Sequence, residues 1–296
     1  MKNFAKTLGE SGIYGAIAAI AVALLMASCG DDTSLDPNDL NLTAEVDTQS
    51  EAAMESAMED LDNVAEAAMI AANAGGRFFE DELLGCATVT HDEELKTVII
   101  DFGEGCEGPR GRMRSGKIVI TYTDRRLVPG AVKTVAFEDF AVDSVGIEGT
   151  RIFTNIMESE NDFPKFRIQL IGGRLTFPDA TVATRESDHT RTWIRGANPL
   201  LDEAELTGTS HGIGRDGRTY EVTILERIIY KRDCGRLLKF LPVSGVKQII
   251  VNGGEHEILY DYGDGECDNI ITITKDGVSE EVEIDLRRLA HIAKNG

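Results

Sequence analysis

The chain has 296 residues, 42% of them hydrophobic, enough for one large or two modest domains with a real core. Asp plus Glu outnumber Lys plus Arg by 51 to 30, a net charge of -21. That balance argues against nucleic acid as a partner, because nucleic acid requires clustered positive charge. It argues equally against direct adsorption to an anionic membrane surface.

The N-terminus opens with Lys2 and Lys6 and runs into an almost wholly apolar stretch from Ile13 to Met26. Fourteen residues are too short to span a bilayer, which takes about 20. They suit the apolar region of a secretory signal, expected over 1–28. The run ends in "MASC", residues 26–29, which resembles the lipobox of bacterial lipoproteins, with Met26 where that motif usually carries Leu. The resemblance implies cleavage before Cys29, of the signal peptidase II type, and acylation of Cys29. Two or more acyl chains hold a protein stably to a membrane, where one does not.

Residues 29–49 are rich in Asp, lack Lys and Arg, and read as a flexible acidic tether. Asp31 and Asp32, directly after "CG", resemble the acidic signal that sends lipoproteins of the Bacteroidota to the outer face of the outer membrane. The implied location is the outer membrane, at the cell surface, with the lipid anchor as the membrane contact.

Residues 50–76 are the one convincing helix. Met54, Met58, Leu61, Ala65, Ala68 and Ala72 recur at helical spacing, Ser50 is placed to cap the start, and Gly75-Gly76 stop it. The Met and Ala stripe is expected to pack on the following domain.

From about Phe78 the hydrophobic period changes to two. "GKIVITYT", "KTVAFEDF" and "RTYEVTILERIIY" read as strands, and "ITITKDGVSEEVEIDL" reads as a hairpin turning at Asp276-Gly277. In "KFRIQLIGGRLTF" the alternation of Phe166, Ile168 and Leu170 leads to Gly172-Gly173, which reads as a second two-residue turn. No helical segment separates these strands, so a sandwich or meander fits better than a parallel α/β plan. The expected fold is mainly β, about a dozen antiparallel strands over 77–290, as a sandwich or extended meander after one amphipathic helix.

An internal echo supports a duplication. "DFGEGC" at 101–106 and "DYGDGEC" at 261–267 share a pattern, as do "GIEGT" at 146–150 and "LTGTS" at 206–210. Two related halves, about 77–165 and 166–290, would account for both.

With Cys29 taking lipid, Cys86, Cys106, Cys234 and Cys267 remain, and four cysteines allow three pairings. The echo favours Cys86 with Cys106 and Cys234 with Cys267, as structural disulfides outside the cytoplasm. Free thiols and a metal site are the alternatives, the latter with no CxxC and no cysteine–histidine cluster behind it.

Catalytic motifs do not survive their context. Gly212, Gly214 and Gly217 spell GxGxxG but precede a strand, where a dinucleotide site needs a helix. Asp261, Asp264, Glu266 and Asp268 crowd together, and carboxylates spaced by glycines can wrap calcium, though Asp and Gly also make ordinary turns. "RESDHTRTW", residues 185–193, is a polar strand able to line a groove for a polar ligand, or else a solvated strand with cross-strand ion pairs.

"VIIDFGEGCEGPRGRMRSGKIVITY", residues 98–122, together with "DYGDGECDN", resembles a group of Bacteroidota surface lipoproteins. The resemblance implies location and brings no catalytic residues across. The expected role is non-enzymatic binding or scaffolding of an extracellular or envelope ligand. A glycan hydrolase using paired carboxylates is the alternative.

Overall fold

A single row of cross-strand neighbours runs through most of the protein: Val98, Ile120, Val135, Arg151, Leu170, Ser187, Ser210, Val222, Ile249 and Ile258, each directly opposite the next. Residues directly opposite in a ladder share a face. This row therefore defines the inner face of one continuous sheet. Its two ends are apolar and its centre is polar.

The computed structural model describes Met58, residues 61–72, Leu84, and residues 86–108, 112–198, 201–234, 241–268 and 270–283. The signal segment, Cys29 and the acidic tether lie outside these residues, as do Ser50 and Gly75-Gly76. Helix α1 is described over residues 61–72.

Fourteen strands follow: β1 Thr88–Asp92, β2 Thr97–Asp101, β3 Cys106–Glu107, β4 Met113–Tyr122, β5 Val132–Val142, β6 Val145–Asn155, β7 Lys165–Thr176, β8 Val182–Ile194, β9 Glu203–Ile213, β10 Thr219–Lys231, β11 Ser244–Val251, β12 His256–Asp264, β13 Ile270–Lys275 and β14 Val278–Glu283. They form one antiparallel sheet in sequence order, with only the two-residue β3 off the path, paired to β4. Of the two β architectures expected, the molecule adopts the meander. Residues 165 and 166, where the two halves would divide, are the first two of β7, which pairs with β6 on one side and β8 on the other.

Gly172 and Gly173 do not form the expected turn. They lie inside β7, where the ladder to β8 slips between Leu170 and Gly173. A Gly-Gly pair between alternating segments serves a bulge as well as a turn, since both require a positive φ or a close backbone approach. Gly172 takes a φ of 63°, and a Cβ on Gly173 would stand 2.5 Å from the Arg185 carbonyl oxygen. Similar slips interrupt β4–β5, β5–β6, β6–β7, β9–β10, β10–β11 and β11–β12. The β8–β9 ladder is regular throughout, from Thr184↔Ile213 to Ile194↔Glu203.

The main core lies between α1 and the first half of the sheet. Met58, Leu61, Val64, Ala65, Ala68 and Ala72 pack with Val98, Ile100, Ile118, Ile120, Val135, Phe140, Ile147, Leu170 and Leu175. From Met58 to Ala72 the Met and Ala stripe thus packs on the sheet, as its spacing required, while Met54 lies outside the described residues. Two smaller clusters, centred on Val222, Ile249 and Ile258 and on Leu206, Ile228 and Tyr262, occupy the second half.

Among the described residues no helix is long and apolar enough to cross a membrane. Cys86 is joined to Cys106 (Cα–Cα 5.7 Å) and Cys234 to Cys267 (Cα–Cα 5.4 Å), the pairing the echo favoured. The "DFG" and "DYG" repeats build the same turn: Asp101 accepts from the Gly103 N–H at 2.8 Å, and Asp261 from the Gly263 N–H at 2.9 Å.

Candidate functional site

Strand β8 separates its polar side chains by face, because successive residues of a strand point to opposite sides. On the outer face, Asp188 accepts a forked pair of hydrogen bonds from Arg167, with Arg167 Nε at 2.9 Å from Oδ1. The Arg167 hydrogen bonds hold the Asp188 carboxyl below its ordinary pKa. Glu186 accepts from the Gly172 N–H at 2.7 Å, so its carboxylate ties down the β7 bulge. This face is the solvated, ion-paired strand that one reading of "RESDHTRTW" expects.

The inner face carries Arg185, Ser187, His189 and Arg191 at two-residue spacing. Arg185 and Ser187 are buried. With Met58 and Asp62 of the helical segment, Arg151, Ile168, Leu206 and Tyr230, these four line a cleft of about 40 Å³ between helix and sheet. The groove of the other reading therefore exists as well, on the opposite side of the same strand.

The cleft's one carboxylate among the described residues is fully engaged. Asp62 receives Arg151 Nε at 2.6 Å on one oxygen and Arg151 Nη2 at 2.7 Å on the other. Lys133 lies beside this pair with its ammonium 4.2 Å from the centre of the Phe153 ring and 3.8 Å from Glu66. Burial lowers the Lys133 pKa, against the opposing pull of Glu66 and Asp62. The acidic side of α1 is thus matched to a basic patch on β5 and β6.

Two polar groups on the inner face lack partners. Arg191 Nε is buried and makes no hydrogen bond, while its guanidinium carbon lies 5.9 Å from the centre of the Tyr230 ring. Ser210, directly across the ladder from Ser187, is 3% exposed, and its Oγ is likewise unbonded. Such groups cost about 1–3 kcal/mol each when left dry, more for a charge.

The carboxylates singled out for calcium do not converge. Asp261 is spent on Gly263, Asp268 accepts from the Ile270 N–H at 2.9 Å, and Asp264 ends β12 opposite Ser244. The one cluster of potential ligands among the described residues is Asp233 with Cys234 and Cys267, and both of those sulfurs are in a disulfide. GxGxxG at Gly212, Gly214 and Gly217 runs off β9 into the turn before β10, a hairpin as its context required.

An open, shallower cleft at the β6–β7 loop is bordered by Ile156, Glu158, Asp162, Phe163 and Thr192. Both acids there are exposed, and Asp162 Oδ2 accepts from the Glu158 and Ser159 N–H groups at 3.1 and 2.9 Å. Acid–base hydrolysis of a glycoside needs one carboxyl desolvated and a second free across the sugar. This loop offers neither.

The helix-to-sheet half of the cleft was foreshadowed by the Met and Ala stripe, and its floor by the polar strand at 185–193. Arg151 gave no such signal. It belongs to a strand with mixed polarity, and only the register Val135↔Arg151↔Leu170 places it under Asp62.

The fold and site together define an open antiparallel meander with a helix clasped to one face over a cleft lined by the polar side chains of β8. No protein family, characterised protein or solved structure compared with the chain matches it.

Proposed function

We propose that the protein is a lipid-anchored lipoprotein of the outer membrane, displayed at the cell surface, that binds a ligand without chemically changing it. Support for the anchor comes from the sequence: the short apolar run, "MASC" ending in Cys29, the aspartates at 31 and 32 and the acidic tether after them. The resemblance of 98–122 to Bacteroidota surface lipoproteins points the same way. Two disulfides among the described residues fit an oxidising compartment.

The observation that carries the binding role is the inner face of β8. Its cleft gathers donors around a carboxylate already bound by Arg151. General acid–base or nucleophilic chemistry needs a free base beside a reacting atom. Recognition of a ligand needs only fixed donors and walls, which a regular ladder and a docked helix provide.

Intact-mass measurement of the mature protein, with and without reductant, tests the reading. The expected product begins at Cys29, carries added fatty-acyl mass, and gains the mass of four hydrogen atoms on reduction of its two disulfides. A product that retains Met1, or begins elsewhere without acyl mass, overturns the anchor. Protease treatment of whole cells then reports surface display.

A further inference from the structure

We infer that the open cleft at the β6–β7 loop is a sugar-binding site, which stacks one neutral pyranose ring on Phe163. It adds a site on the outer face of the sheet to the binding role proposed above, and it does not rest on the cleft under the helix.

The aromatic ring is the first ground. Phe163 is 51% exposed and stands with Ile156, 38% exposed, at a cleft of about 490 Å³. Small-molecule sites span roughly 300–1,000 Å³, so the size fits. The loop that holds Phe163 in water is braced from within. Asp162 Oδ2 accepts from the Glu158 and Ser159 N–H groups, and the Asp162 N–H donates to the Ser159 carbonyl at 3.0 Å. At the foot of the loop the Met157 N–H donates to Asn155 Oδ1 at 2.9 Å. A ring on a braced loop has little freedom to lose when a ligand covers it.

The second ground is a set of unspent polar groups. The side chains of Glu158, Asn161, Lys165 and Thr192 border the same cleft, and none of the four bonds to another described residue. Lys165 and Thr192 are directly opposite each other in the β7–β8 ladder, so they share the outer face. The set combines a carboxylate that accepts, an ammonium that donates, and an amide and a hydroxyl that do both. A sugar hydroxyl donates and accepts, so a ring of hydroxyls answers all four. A carboxylate or phosphate only accepts and leaves Glu158 unanswered.

Charge is the third. Glu158 and Asp162 oppose the single ammonium of Lys165, and the chain carries -21, so the cleft disfavours an anion. A cation would meet Lys165. What suits both is an uncharged ring with hydroxyls at its rim and one apolar face. A pyranose is such a ring: the weakly positive C–H groups of one face lie against the negative face of an aromatic ring.

The test is saturation-transfer NMR on the purified protein, titrated in turn with the methyl pyranosides of glucose, galactose and mannose. The expected result is transfer to the ring C–H protons of at least one glycoside, saturating with concentration. Phe163→Ala weakens binding about tenfold, as the loss of one anchoring aromatic does. Phe163→Trp retains it. Leu225→Ala removes a similarly exposed apolar side chain on β10 and leaves it unchanged. The melting temperature of each variant is measured alongside. A second measurement needs no variant: the Phe163 ring resonances of the unsubstituted protein shift with the glycoside and saturate at the same concentrations. No transfer from any of the three glycosides overturns the inference, as does equal transfer in a folded Phe163→Ala. Transfer from sodium glucuronate with none from the neutral glycosides overturns the neutral-ring assignment. These outcomes are independent of the acyl mass at Cys29, so failure here and failure of the anchor are distinguishable.

Discussion

Arg151 of β6 and Asp62 of α1, 89 residues apart in the chain, meet through two parallel hydrogen bonds of 2.6 and 2.7 Å with both side chains largely buried. This pair fixes the helix in position along the sheet. The apolar stripe alone tolerates sliding, because Ala65, Ala68 and Ala72 present nearly identical surfaces. A bidentate ion pair has one geometry.

Removing one partner leaves a buried charge unanswered. Arg151→Gln is expected to destabilise the protein by about 3 kcal/mol in urea unfolding. The double variant with Asp62→Asn is expected to recover part of that loss. Additivity of the two single changes in a double-mutant cycle would show that the pair is not coupled.

Gly208 illustrates how the sheet depends on backbone freedom. It takes a φ of 128°, and a Cβ there would stand 2.2 Å from the Asp188 carbonyl oxygen. Gly208→Ala is expected to cost at least 3 kcal/mol, since it combines strain with a clash against backbone. Gly253→Ala, at a φ of 68° with open space around it, is expected to cost about 1 kcal/mol. Equal losses in the two variants would refute the close approach at Gly208.

The Cys86–Cys106 bridge closes a loop with a sequence separation of 20. Replacing both cysteines with serine is expected to lower stability by roughly 3 kcal/mol, mainly through a less restricted unfolded chain. The change is read from the urea midpoint at unchanged slope.

Acid should weaken the fold progressively. Asp188 and Asp276 are held below their ordinary pKa of 3.8, Asp188 chiefly by the Arg167 hydrogen bonds and Asp276 chiefly by the Glu257 N–H, then by His256. A carboxyl with a depressed folded pKa binds protons more weakly folded than unfolded. Its stabilisation is therefore present above pH 3.8 and is lost as the pH falls through the lower folded value. Stability measured against pH should decline below about pH 5, and less steeply in Asp188→Asn. Identical slopes in the two proteins would dismiss the contribution of Asp188.

Much of this architecture is legible in the sequence because a meander obeys local rules. The period-two runs at 117–122, 166–170 and 220–224 are strands, and Asp276-Gly277 is a turn with φ values of 49° and 85°. The repeated "DFG" and "DYG" strings predict one turn twice. What escapes local reading is register. Gly172-Gly173 reads as a turn, because a bulge and a turn ask the same freedom of the backbone. The floor of the cleft is half visible: Arg185, His189 and Arg191 stand out in a polar strand, but which face each occupies depends on slips that no local pattern encodes. Arg151 is invisible for the same reason.

Every ladder joins strands adjacent along the chain except β2–β4, which skips only the two-residue β3, so every pairing closes a short loop. Such a topology can zip from any hairpin and extend one strand at a time. The clasp between residues 62 and 151 is different, since it waits until six strands exist for the helix to settle on. A chain that emerges N-terminus first must therefore carry its helix undocked while the platform assembles, and the cleft beneath the helix is complete only after β7 to β10 have joined the sheet.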